Sequence, residues 1–135
     1  MDLDGFLSEW TNLLYKADIR FSEGLAPIDV GGKYGFIDKT GKFVIEPQFD
    51  DAGEFSEGLA RVNIGGHICY CSVIGGRWGF IDKTGKFIIE PQFAGAEEFS
   101  NGLAKVNISG RSYAGGKVID GRWVFIDKTG KFVKE

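Results

Sequence analysis

Three phrases recur in a fixed order along this chain, and that periodicity constrains its fold more than any other feature. Phe36 to Phe43 reads FIDKTGKF, and Phe80 to Phe87 and Phe125 to Phe132 repeat it unchanged. FSEGLA stands at Phe21 to Ala26 and at Phe55 to Ala60, and returns as FSNGLA at Phe99 to Ala104. EPQF occurs at Glu46 to Phe49 and at Glu90 to Phe93. A unit this short cannot bury its own apolar face, so successive units must stack on one another.

Spacing separates scaffold from insertion. Tyr34 to Trp78 is 44 residues and Trp78 to Trp123 is 45, yet Phe21 to Phe55 is only 34. The first copy lacks about ten residues, where the later copies carry HICYCSVIGG and RSYAGGKVIDG. One domain over residues 1–135 is expected, with a short first repeat at 15–48, a second at 49–92 and a third at 93–135.

Turn chemistry sets the local structure. Asp38-Lys39-Thr40-Gly41 places Asp first and Gly fourth, which suits a type I turn closing on a glycine at positive φ. Its flanks are aromatic and β-branched, so hairpins are predicted at 34–45, 78–89 and 123–133. Leu59 to Ile64 reads as a further strand, and His67 to Val73 as an extra strand bounded by Gly65-Gly66 and Gly75-Gly76. Arg111 to Ile119, interrupted by Ala114-Gly115-Gly116, is predicted to be more loop-like. Pro47 and Pro91 are expected to stop the strands before them, because proline cannot donate to a ladder. Phe49, Ala52 and Phe55, matched by Phe93, Ala96 and Phe99, are expected to pin the following connector to the sheet.

The ends depart from the pattern. Leu3, Phe6, Leu7, Trp10, Leu13 and Leu14 recur at helical spacing, predicting a capping helix over 3–14. Lys134 stands where the other copies have an apolar strand residue, and a lysine on a last strand discourages edge pairing. The two features read as the caps of a complete small protein. The fold class expected is mainly β: antiparallel hairpin repeats in a meandering sheet or short solenoid, with barrel-like closure left open, behind an N-terminal helix.

Composition excludes several function classes. Sixteen basic and nineteen acidic residues give a net charge of -3, without the basic stripe that nucleic acid requires. No apolar run reaches the ~20 residues of a membrane span, and the N-terminus lacks a signal-peptide core, so a cytoplasmic location without membrane insertion is expected.

At Lys33 to Lys42, and at Arg77-Trp78-Gly79 in the next copy, the sequence resembles the WG repeat family, also called KWG repeats. The FSEGLA phrase and the aromatic-plus-Ala connector fit the same family, and the resemblance runs from about Tyr15 to the end. Tyr34 replaces the family's Trp in the first copy, and Val124 replaces its Gly in the third. The resemblance implies a repeat widespread in bacteria, with no shared catalytic residues and a binding or scaffolding role.

Candidate sites divide by how well the scaffold explains them. Asp38, Asp82 and Asp127 read as turn residues and not as catalytic acids. Trp78 and Trp123 could stack on a sugar, but at repeat-fixed spacing they read as packing. His67, Cys69 and Cys71 would share a face of one strand. Cys69 and Cys71 could then hold one ion, but His67 would lie about 13 Å from Cys71, so thiols without metal are the preferred reading. No cofactor is expected.

The insertions differ in charge and aromatic content while the framework hardly changes, and loops on a rigid scaffold commonly carry specificity. Tyr70, Arg111, Tyr113 and Lys117 are therefore the candidate partner surface. The function expected is a non-catalytic module binding a protein or peptide, with a glycan or cell-envelope ligand as the alternative and a hydrolytic enzyme, which would need His67 in a cleft with carboxylates of another repeat, as the last reading.

Overall fold

The computed structural model describes residues 19–69, 72–108, 111–112, 118–119 and 121–135, with side chains described outside 67–74 and 109–120. The predicted helix at 3–14 lies outside the described residues. What is described is antiparallel β-structure without a helix, arranged as consecutive small sheets, none closed into a barrel.

The first sheet contains β1 (Ala26–Val30), β2 (Lys33–Ile37) and β3 (Phe43–Phe49) in sequence order. The second runs β4 (Asp51–Ala52), β5 (Ala60–Cys69), β6 (Ser72–Ile81) and β7 (Phe87–Phe93). The third has β8 (Gly95–Ala96) and β9 (Ala104–Ile108), then β12 (Arg122–Ile126) and β13 (Phe132–Lys134). A small hairpin pairs β10 (Arg111–Ser112) with β11 (Val118–Ile119). The connectors thus contribute short strands of their own. β4 pairs Asp51 with Asn63 and Ala52 with Val62, and β8 repeats this with Gly95 on Asn107 and Ala96 on Val106. Each unit hands one strand to the edge of the next sheet.

Residues paired across an antiparallel ladder share a face. Ala60 pairs Ile81, which places both on the back face of sheet 2; Arg61 pairs Phe80, and Asn63 pairs Trp78, on its front face. The front face of sheet 1 meets the back face of sheet 2 around Leu25, Phe36, Ile45, Phe49, Phe55, Ala60, Val62 and Ile81. The corresponding residues of sheets 2 and 3 build the next joint, around Leu59, Phe80, Ile89, Phe93, Phe99, Ala104, Val106 and Ile126. Connector phenylalanines wedge into both. Phe55 meets Phe36 edge-on at 4.9 Å and Phe99 meets Phe80 at 4.8 Å, so one contact is made twice. Each buried ring contributes about 1.5–3 kcal/mol. The anchoring role expected for the connector aromatics is therefore met.

Pro47 and Pro91 do not end their strands. β3 and β7 run through them to Phe49 and Phe93, which pair with Tyr34 and Trp78. The register slips between Tyr34 and Phe36, and again between Trp78 and Phe80, so each proline occupies a bulge, where its missing donor costs nothing. The bulge crosses directly over Gly35 and Gly79. A Cβ on Gly79 would lie 2.6 Å from the Ile89 carbonyl oxygen and 2.7 Å from the Pro91 nitrogen, and Gly35 meets Ile45 and Pro47 identically. In the third unit β13 pairs beside Phe125 and Ile126 only, no such crossing is described, and Val124 is 2% exposed. The glycine after the aromatic is thus a packing requirement of the crossing strand.

Candidate interaction surface

The repeated aspartates hold turns, as their position predicts. In the first turn the Gly41 amide donates to the Asp38 carbonyl at 3.0 Å, and Gly41 has φ 85°. The Asp38 carboxylate accepts the Thr40 hydroxyl at 2.5 Å, the Thr40 amide at 2.9 Å and the Lys42 amide at 3.1 Å. Asp82 and Asp127 repeat the set. The threonine hydroxyl is the main cause that holds all three carboxyls below their ordinary range. In each case the three donors converge on one carboxylate oxygen, Oδ1, which is the geometry of a turn-holding acceptor.

FSEGLA conceals a second turn that the sequence reading did not resolve. Ser22 and Leu25 exchange both main-chain hydrogen bonds around Glu23 and Gly24, at φ 55° and 85°, which is a type I′ geometry. Asn is the favoured residue at the first such position, and Asn101 occupies it in the third copy. The glutamates at the first two copies have another use. Glu23 accepts the amides of Glu57 at 2.7 Å and Gly58 at 2.9 Å, and Glu57 accepts the Gly102 amide at 2.8 Å. Ser22 and Ser56 hydroxyls donate to the carbonyls of Phe55 and Phe99. Lys83 and Lys128 approach the same glutamates at 3.5 and 3.4 Å. A polar ladder therefore ties each turn to the next unit. The Gly102 amide is the leading cause of the lowered Glu57 pKa. At Glu23 desolvation raises the pKa, but the Gly58 and Glu57 amides and Lys83 outweigh it and the net shift is downward.

The aromatic before the glycine forms a column on the front faces. Tyr34 and Trp78 pack against the two joints, whereas Trp123 is 36% exposed. Arg61 lies 5.0 Å over Trp78 and Lys105 lies 5.4 Å over Trp123. Arg61 also donates to the Ala96 carbonyl at 3.1 Å, and with Ala96, Glu97 and Glu98 it lines a cleft of about 370 Å³. Its Nε is adjacent to Gly53, where a Cβ would come within 2.7 Å. Burial raises the pKa of Asp51, against the Ala52 amide and Arg61. Burial likewise raises Tyr34, helped by Asp51 and Asp29. Neither Arg61 nor the Glu97-Glu98 pair was singled out by sequence, because only the tertiary structure brings them to one cleft.

The insertion is an elongated hairpin and not an added strand. β5 continues to Cys69 and β6 begins at Ser72, with His67 opposite Ile74, Ile68 opposite Val73 and Cys69 opposite Ser72. The chain reverses between Cys69 and Ser72, and Cys71 lies outside the described residues. In the first unit the same hairpin closes at Gly31-Gly32, directly after Val30. The third unit's insertion, expected to be loop-like, includes the paired strands β10 and β11, and β10 lies beside β6. Arg111 begins β10, while Tyr70, Tyr113 and Lys117 lie outside the described residues. At the root of the long arm Asn63 is 1% exposed and donates from Nδ2 to the Gly75 carbonyl at 3.3 Å.

The model of the WG-containing repeat matches residues 34–66 and 78–111. Each match starts at the aromatic of the column and runs through the next connector and its receiving strand. Comparison with curated proteins and with solved structures finds no match.

Proposed function

Because the chain belongs to the WG-repeat family, we propose that it is a non-catalytic interaction module that grips a protein or peptide with its β5–β6 arm and the adjacent β10–β11 hairpin. One contrast carries this reading: β1 and β2 are five residues each, whereas β5 and β6, on an otherwise equivalent unit, are ten. The repeated aspartates are taken up by turns, and Glu23 and Glu57 by the ladder between units, which supports placing recognition on the arms. Tyr70, Arg111, Tyr113 and Lys117 belong to these segments. The test is affinity capture from the native lysate by the intact chain and by a variant with both insertions replaced by Gly-Gly. Partners retained equally by both would refute it.

The exposure of Trp123 favours a second reading, a glycan or cell-envelope ligand stacked on that ring. Titration with cell-wall fragments should then quench tryptophan fluorescence, and the Trp123→Phe variant should lose the response. No quenching of the parent chain would dispose of it.

A further inference from the structure

We infer that the outer edges of the units form a self-complementary surface that binds a second copy of this chain. In each sheet the third strand of the unit, β3, β7 or β13, lies at an edge. All three carry the same bulge. Phe36 pairs Ile45 and Ile37 pairs Phe43, which leaves Val44 without an opposite residue. Ile88 and Val133 are left over in the same way. These side chains are 47%, 44% and 46% exposed. Edge strands usually present lysine or proline at such a place, because an apolar edge invites pairing. Here the position is β-branched and apolar every time.

The flanking charges select the occupant. Two residues before each apolar side chain stands a lysine and two after it a glutamate: Lys42 and Glu46, Lys86 and Glu90, Lys131 and Glu135. All six are exposed, and Glu46 and Glu90 form no salt bridge among the described residues. Read antiparallel, lysine-apolar-glutamate becomes glutamate-apolar-lysine, which is its own complement. A twofold axis through Ile88 sets that side chain against its counterpart, Lys86 of one copy against Glu90 of the other, and Glu90 against Lys86. The same rotation reverses the order of units, so Val44 of one copy faces Val133 of the other. The bulges interrupt further main-chain pairing. The contact is therefore made by side chains, and a twofold contact of this kind closes at two copies.

The experiment is sedimentation equilibrium of the full chain over a wide concentration range. The mass should rise from one copy to two and stop there. Ile88→Lys places two like charges on the axis and should weaken association at least about tenfold, with the melting temperature retained because the site is exposed. Lys86→Glu and Glu90→Lys should each weaken it, and the two together should restore it. A chain that stays at the mass of one copy would overturn the inference, as would growth beyond two copies. So would a dimer indifferent to Ile88→Lys and to the charge reversals.

Discussion

Gly79→Val asks whether the glycine of the aromatic-glycine pair is there to let a strand cross. The three atoms nearest the new Cβ are the Ile89 oxygen at 2.6 Å, the Pro91 nitrogen at 2.7 Å and the Glu90 carbonyl carbon at 2.9 Å. All belong to the main chain, so no rotamer change relieves them. Ordinary contact starts at 3.4 Å, which requires β7 to retreat by about 0.8 Å. Overpacking of that kind costs about 1–3 kcal/mol, and the valine methyls place this case at the upper end. The retreat also loosens the pairing of Trp78 with Phe93 and partly uncovers a ring that is 4% exposed, adding about 1 kcal/mol. A total of about 3–4 kcal/mol corresponds to a melting temperature lower by roughly 10–15 °C for a chain of this size. Thermal unfolding followed by circular dichroism and calorimetry measures it. The equivalent third-unit exchange, Val124→Gly, should also destabilise, by about 2–4 kcal/mol, because there it removes a buried side chain and adds backbone freedom. The same pair of residues is thus wrong in both directions. A Gly79→Val protein melting within about 3 °C of the parent would refute the crossing argument.

Phe99→Ala should cost about 3–5 kcal/mol, since the ring is 1% exposed and fills the second joint against Phe80; urea unfolding gives the value. Glu57→Gln should speed hydrogen exchange at the Gly102 amide and leave that at Gly58, held by Glu23, close to its parent rate. Equal acceleration at both would mean that the ladder is not made of separate rungs. Asp38, Asp82 and Asp127 have carboxyls held below the ordinary range in the folded chain. Their contribution is present above the ordinary carboxylate pKa and is lost as pH falls through the depressed values. Replacing all three with Asn should therefore flatten the acid limb of the melting temperature against pH, and an unaltered limb would show that other groups govern it.

The Asp-Lys-Thr-Gly turns and the apolar anchors of the connectors were legible in residue identity, because each depends on neighbours a few positions away. Turn geometry follows from which side chain can reach which nearby amide, and Asp38 needs only Thr40 and Lys42. The Glu23 ladder was not legible. Nothing local distinguishes a solvated glutamate in a turn from one that accepts two amides of the next unit. The Pro47 bulge was misread for a related reason: a missing donor ends a strand only where the ladder needs that donor, and here the chain bulges past it. In the insertion, alternation marked extended chain, but the reversal between Cys69 and Ser72 depends on a register that alternation does not contain.

By itself, then, the sequence determines a stack of β-units with fixed turns, one short copy and two insertions. Tertiary structure alone decides that connectors join the next sheet, that glutamates bind neighbouring turns, and that a glycine yields to a crossing strand. The physical reason is distance along the chain. Turn and strand preferences act over a few residues, whereas these contacts join positions a whole repeat apart and exist only once the sheets have stacked.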